Sequence, residues 1–496
     1  MRARRPDLHE RKRGMVGVGR SPHHICRERL SQANRSCECA WLPRSNDDTG
    51  RRRVLERRLL ACRRVRAVIE RVDESPVLFV LGAVATALAV FPIPFRNYNY
   101  RSVASTAWWR LQPICRHPIL FEDDVMSKLF SHTKVGHFHL QHRVVLAPLT
   151  RMRTEPRNVP GDLMVEYYTQ RATDGGLLIT DATAVAQLGI AYVEAPGIYT
   201  EEHVKGWRRV IDAVHAKGAR IFLQMWHAGR QAHPANTGGV TPVAPSALRS
   251  LEHAAIRDEN GQITEAELVV PRPLETAEIP AIVEQFRSGA ELAKQAGFDG
   301  VELHAANGYL FEQFLLDGTN HRDDVYGGPI ENRARFLFDT LDAVVSVWGP
   351  GRVAVRLSPS GTYGTMSDSN PHATFGYVAE RLNHYDLAYL HVIEPRIRGI
   401  VEKETSDSDV SSKDIRRIYK GTIIAAGGFT RENAEQIIVD GHADLVAFGR
   451  MFIANPDLPE RLRSGAPLNQ YDRATFYGGD ARGYTDYESL SEGVVA

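Results

Sequence analysis

Eight short apolar runs rich in β-branched residues recur along the chain, each followed by a stretch with helical spacing, and this alternation constrains the fold most tightly. They occupy residues 144–148, 177–180, 220–224, 300–304, 353–356, 387–391, 422–426 and 445–449. Amphipathic stretches at 202–217, 281–296, 331–347, 374–383 and 431–440 lie between them. Strand and helix repeated eight times predict an α/β protein, a closed (β/α)8 TIM barrel rather than an open doubly wound sheet. No GxGxxG follows a strand and no GxxxxGK[ST] occurs, which removes the main support for dinucleotide-binding and P-loop folds. A polar, Pro-rich insertion from about Pro234 to Pro280 follows the third strand. Its segments 241–245 and 267–271 are expected to pair as a small hairpin over the barrel mouth.

Charge marks a boundary. The 496 residues hold 61 Lys and Arg against 60 Asp and Glu, a balance of +1. Residues 1–125 alone carry 24 basic and 13 acidic side chains, +11, and residues 126–496 carry −10. Cys26, Cys37, Cys39, Cys62 and Cys115 all lie in the first piece. From Met126 onward there is therefore no disulfide, no thiolate nucleophile and no Cys-ligated zinc or iron–sulfur cluster. Two domains are expected: a basic N-terminal extension at 1–125, either disordered or a mis-assigned start, and a barrel at 126–496. Residues 77–91 lack charge but are shorter than the ~20 residues that span a bilayer. Neither a membrane nor nucleic acid is an expected partner, and the expected location is cytoplasmic.

In a barrel the chemistry sits where strands end. Those ends carry Thr150, Gln224, His304 with Asn307, Arg356, and the glycine turns Gly427-Gly428 and Gly449-Arg450. This inventory holds many hydrogen-bond donors but no paired carboxylates, no metal cluster and no Ser nucleophile, so a bound cofactor is expected to perform the hard step. Glycine turns after the seventh and eighth strands are a common phosphate site, because glycine lets backbone N–H groups approach closely. Spacing alone leaves flavin mononucleotide (FMN) and pyridoxal phosphate both open.

Longer motifs narrow the choice. Val145-Leu-Ala-Pro-Leu-Thr-Arg-Met152, Phe222-Leu-Gln-Met-Trp-His-Ala-Gly-Arg230, Val301-Glu-Leu-His-Ala-Ala-Asn-Gly-Tyr-Leu310, Tyr326-Gly-Gly-Pro-Ile-Glu-Asn-Arg333 and Phe448-Gly-Arg-Met-Phe-Ile-Ala-Asn-Pro-Asp457 together resemble the Old Yellow Enzyme family of flavin-dependent ene-reductases. The resemblance runs from about Lys128 to Tyr487. It implies FMN as cofactor and NADPH or NADH as reductant.

By the same resemblance, Pro148, Leu149, Thr150 and Ala182 would cradle the isoalloxazine, with the Thr150 hydroxyl at O4. The family more often has Glu where Asp181 stands. Gln224 and Arg356 would face the pyrimidine edge, and Gly427, Gly428, Gly449 and Arg450 would hold the phosphate. His304 and Asn307, three residues apart, would aim two N–H donors at one carbonyl or nitro oxygen. Plant jasmonate-pathway members commonly have a second His in place of Asn307, which tilts this chain toward the bacterial enzymes. Tyr309 would donate a proton to the substrate α-carbon. Tyr192, Trp226 and Tyr477 would line the substrate pocket. The implied reaction is ping-pong hydride transfer from NAD(P)H, through FMN, to an activated enone, maleimide or nitro substrate, by a monomer or homodimer. Rival readings are a nitro-compound or nitrate-ester reductase using the same site, and a non-catalytic flavin-binding or membrane-tethered interaction protein.

Overall fold

The computed structural model describes residues 127–398, 401–406 and 408–490. The five cysteines, the basic extension and the apolar segment at 77–91 lie outside the described residues. Eight parallel strands form a closed ring: β1 (Val144–Leu146), β2 (Leu177–Ile179), β3 (Arg220–Trp226), β4 (Gly300–Ala305), β5 (Val353–Leu357), β6 (Tyr389–Ile393), β7 (Ile423–Ala426) and β8 (Leu445–Phe448). Each pairs with the next, and β8 closes on β1 through Val446↔Val144 and Phe448↔Leu146. Helices α1 (Asp162–Arg171), α2 (Glu201–Ala216), α3 (Ile279–Ala296), α4 (Arg335–Trp348), α5 (Pro371–Leu382), α6 (Ser412–Ile418), α7 (Arg431–Val439) and α8 (Leu458–Ser464) follow the strands in turn. The expected TIM barrel is therefore the observed fold.

Local sequence explains the helix limits. The Thr200 hydroxyl accepts from His203 N and caps α2, whose first turn carries Glu201 and Glu202, where carboxylates favour the helix dipole. Helix α3 has proline in its first turn and stops at Gly297, whose φ of +104° suits glycine. The stretch expected as one helix at 331–347 is two, Ile330–Arg333 and α4, broken at Ala334. The sixth strand begins two residues later than expected, at Tyr389.

The insertion after β3 corrects one expectation. Its antiparallel hairpin pairs His253–Arg257 with Ile263–Glu267, not residues 241–245 with 267–271. Val243 and Ala244 instead pair in parallel with Arg272 and Pro273. The reason is the Asp258-Glu-Asn-Gly261 turn, in which the Asp258 carboxylate accepts from Asn260 N and Gln262 N and Gly261 takes φ +76°.

Side-chain alternation along the barrel strands sends their apolar residues to two sides. Outward-facing residues such as Leu178, Leu223, Leu303, Val355 and Val446 pack on the helices. Inward-facing Val145, Leu177, Phe222, Tyr389, Ile424 and Leu445 fill the barrel, with Phe138 packed against them. Phe138 belongs to an antiparallel hairpin of Thr133–Val135 and Phe138–Leu140, and its ring meets Phe222 edge-on at 6.1 Å. Gly300 faces the same ring, and a Cβ there would lie 2.3 Å from Phe222 Cε1.

Phe222 thus supports the barrel floor two residues below Gln224. Phe222→Ala should lower the unfolding free energy by about 3–5 kcal/mol, read as a shift of the urea midpoint. A loss below about 1 kcal/mol would show that the floor is not packed as described.

Candidate active site

The strand ends converge on a cleft of about 280 Å³. Pro148 and Leu149 from β1, Asn307 after β4, Arg356 on β5, Gly427 and Gly428 after β7, and Gly449 and Arg450 after β8 all line it. Thr150 follows directly and is half-buried. Gly427 and Gly428 adopt φ of +134° and +64°, so the chain turns there without side chains filling the cleft. Arg450 Nη2 lies 2.7 Å from Glu402 Oε1, so its charge already faces a carboxylate across the glycine turn.

Ala182 is buried in a second group with Trp226 and Tyr309, against which Tyr192 packs. Trp226 meets Tyr309 edge-on at 5.2 Å and stacks on Tyr192 at 5.9 Å. Tyr192 and Tyr309 share a hydrogen bond of 3.1 Å, and the His304 ring lies 4.9 Å from that of Tyr309. Tyr477 is the exposed member of the aromatic set. Asp181, preceding Ala182, accepts from Arg151 N at 2.8 Å and from the Tyr168 hydroxyl at 2.6 Å. The shorter acid therefore still anchors this turn.

Electrostatics fix the protonation of the key groups. Burial, helped by the neighbouring Arg356 charge, drives the His304 pKa well below its usual value, so His304 is a neutral donor at pH 7. Burial, reinforced by the Tyr363 phenol, raises Tyr309 and keeps its proton in place. Arg356 Nε and His304 Nδ1 are buried without a hydrogen-bond partner. Buried donors of this kind call for an acceptor. The donor set and the open glycine turns fit an anionic, hydrogen-bonding ring cofactor bearing a phosphate.

Gln224 lies in the barrel interior, with its amide nitrogen turned to the buried Glu302 carboxylate, 2.7 Å away. Glu302 also accepts from His391 Nδ1 at 2.9 Å. The sequence reading missed both. Their signal was alternation: Glu302 stands two residues before His304, and so on the same barrel face. It also missed Glu312, which is fully buried and accepts from Gly308 N at 2.5 Å and from the Ser358 hydroxyl. Ser358 Oγ in turn accepts from Asn307 N at 2.8 Å. Asn307 takes φ +56°, unusual for a residue other than glycine, and this network holds it there. Tyr363 and the arginine pair Arg151 and Arg153 were also passed over. The two arginines donate to the carbonyls of Phe476 and Thr475, next to Tyr477.

The sequence matches the profile of the NADH:flavin oxidoreductase / NADH oxidase family over residues 128–469. The chain belongs to that family. It is 46% identical over 365 residues to 12-oxophytodienoate reductase 2 of Arabidopsis thaliana, covering 73% of this chain and 96% of that protein. It is equally identical over 366 residues to 12-oxophytodienoate reductase 1 of Oryza sativa subsp. japonica, covering 73% and 93%. Among solved structures, morphinone reductase in complex with tetrahydroNAD matches with a TM-score of 0.69 and 47% identity, over 74% of this chain and 99% of that one. Identity to the plant and morphinone reductases is nearly equal, so Asn307 does not assign the chain to one branch of the family. As a member of the Old Yellow Enzyme family it is an oxidoreductase. Among the described residues no helix is long and apolar enough to cross a membrane, and no group of His, Cys, Asp or Glu is arranged to hold a metal ion.

Burial raises the Glu312 pKa to about 8. A raised carboxyl pKa adds stability that is fully present below the unfolded value near 4.5 and is lost as pH rises through about 8. Thermal unfolding followed from pH 5 to 9 should show wild type losing stability along this range and Glu312→Gln losing less. Parallel curves would remove the assignment.

Proposed function

We propose that residues 126–496 form an FMN-dependent ene-reductase that takes a hydride from NADPH or NADH and passes it to an α,β-unsaturated carbonyl or nitro compound. The observation that carries this reading is that Asn307 and Arg356 line the cleft while His304, paired with Arg356 across β4 and β5, lies ring to ring with Tyr309 at 4.9 Å, with nitrogens of His304 and Arg356 buried and unpartnered. Family membership and the tetrahydroNAD complex of morphinone reductase support a flavin and a nicotinamide at the same mouth.

When bound, FMN would supply the hydride-transfer chemistry between the nicotinamide and the substrate. The chain supplies the rest. Arg356 would hold fixed positive charge toward the pyrimidine edge of the ring and so favour its reduced, more negative form. Pro148, Leu149, Thr150 and Ala182 offer the surface and donors along the ring. Gly427, Gly428, Gly449 and Arg450 present backbone amides and charge to the phosphate. His304, neutral, and Asn307 donate to the substrate oxygen and draw electron density away from the β-carbon. Tyr309, kept protonated by burial, delivers its proton to the α-carbon. The 3.1 Å bond from Tyr192 fixes the phenol's direction. Trp226 and Tyr477 shape the pocket walls.

Anaerobic stopped-flow absorbance separates the two half-reactions. Flavin bleaching by NADH or NADPH should be followed by reoxidation on adding 2-cyclohexenone. His304→Ala/Asn307→Ala should slow reoxidation about 10²–10³-fold, the scale for lost oxyanion donors. Reoxidation at the wild-type rate would overturn the assigned roles.

A further inference from the structure

Beneath the cleft, the barrel interior turns polar. Gln224, Glu302 and His391 come from β3, β4 and β6 and are joined through the two Glu302 oxygens at 2.7 and 2.9 Å. Glu302 and His391 are wholly excluded from solvent. A carboxylate buried in a barrel whose neighbouring layer is Phe222, Tyr389 and Ala354 costs the fold desolvation energy that an apolar residue would not. Packing alone therefore does not account for it.

We propose that Glu302 is a positioning residue of the flavin site: its carboxylate fixes which end of the Gln224 amide is offered to the cofactor and offsets the charge of Arg356, and so sets the balance between oxidised and reduced flavin. The inference rests on the flavin reading above and adds a residue to it.

An ionised carboxylate only accepts hydrogen bonds. The Gln224 amide must therefore give its NH2 group to Glu302, because the flipped amide would set two oxygens against each other. Its carbonyl oxygen is then the end left for an imide N–H of the ring. His391 is held to one form by the same group. Burial lowers its pKa more than Glu302 raises it, so the ring is neutral and donates through Nδ1. For Glu302, burial opposes ionisation, while the Arg356 charge and the bonds from His391 and Gln224 favour the carboxylate.

The groups that face Glu302 are thus Gln224, His391, Arg356 and the Tyr389 phenol. Among these, Arg356 is positive, Glu302 is negative and the others are neutral. Register sets their order: Glu302 pairs with Gln224, and His304, one inward step higher, pairs with Arg356. The carboxylate therefore lies one layer below the guanidinium. Removing its charge leaves Arg356 uncompensated, which favours the more negative, reduced flavin.

The test uses full-length, FMN-loaded protein and reads the two-electron midpoint potential by dye equilibration. Glu302→Gln should shift the equilibrium about tenfold toward reduced flavin, which is ~30 mV positive for two electrons. His391→Asn, which keeps the carboxylate, should leave the potential at the wild-type value. A Glu302→Gln potential equal to wild type, with only the thermal midpoint lowered, would make Glu302 structural and overturn the inference alone. Equal shifts in both variants would also overturn it, since the charge would not be the cause. If Glu302→Gln does not load FMN, affinity decides. Loss confined to that variant supports the role, and equal loss in His391→Asn overturns it. A wild-type chain that takes up no flavin overturns the flavin reading and this inference with it.

Discussion

Closure of the eight-strand ring is the constraint on which the remaining structure depends. Once β8 pairs with β1, every strand has two neighbours, and each residue must face either the helices or the barrel interior. A one-residue slip would exchange the two sets. On β4 the inward positions are Gly300, Glu302 and His304, and on β5 they are Ala354 and Arg356. Floor, polar layer and cleft thus follow from one phase. The packing of Phe222 and Phe138 below and the chemistry of His304 above share the same strand alternation.

The cleft is held by groups that never meet a substrate. Asn307 keeps its left-handed conformation because Ser358, Glu312 and Gln313 occupy the polar groups around it, and the Gln313 side chain donates to Gly308 O at 2.7 Å and to Ala228 O at 2.9 Å. On the opposite side, Arg151 donates to Phe476 O and Gly483 O, and Arg153 to Asp480 O and Thr475 O. Both guanidinium groups lie over the Tyr484 ring, at 5.1 and 4.7 Å. The C-terminal loop that carries Tyr477 is thereby fastened to the end of the first strand. Buried cations satisfied by backbone carbonyls bring two distant segments together more specifically than apolar contact would.

Much of the site was legible because its donors stand at strand ends, and strand ends are marked by local pattern. His304, Arg356 and the glycine turns were found this way. The supporting network was not, since Glu302, Glu312, Ser358 and Arg151 read as ordinary polar residues until their partners are known. Glu312 and Ser358 are 46 positions apart, and Gln224 and Glu302 are 78 apart. No local spacing encodes such pairs. The hairpin in the insertion was misplaced for a related reason: apolar, β-branched segments at 241–245 and 267–271 outweighed the Asn-Gly turn that directs the real pairing.

The sequence by itself determined the strand–helix alternation, the charge boundary at Met126, the absence of cysteine chemistry beyond it, and the motifs that mark the family. These are properties of neighbouring residues or of composition, and periodicity reports them directly. Only the tertiary structure decided that Gln224 turns its amide nitrogen to a buried carboxylate, that His304 is neutral, and that Tyr309 is bonded to Tyr192. Those outcomes depend on burial and on partners from other strands, and both come into being only when the ring closes.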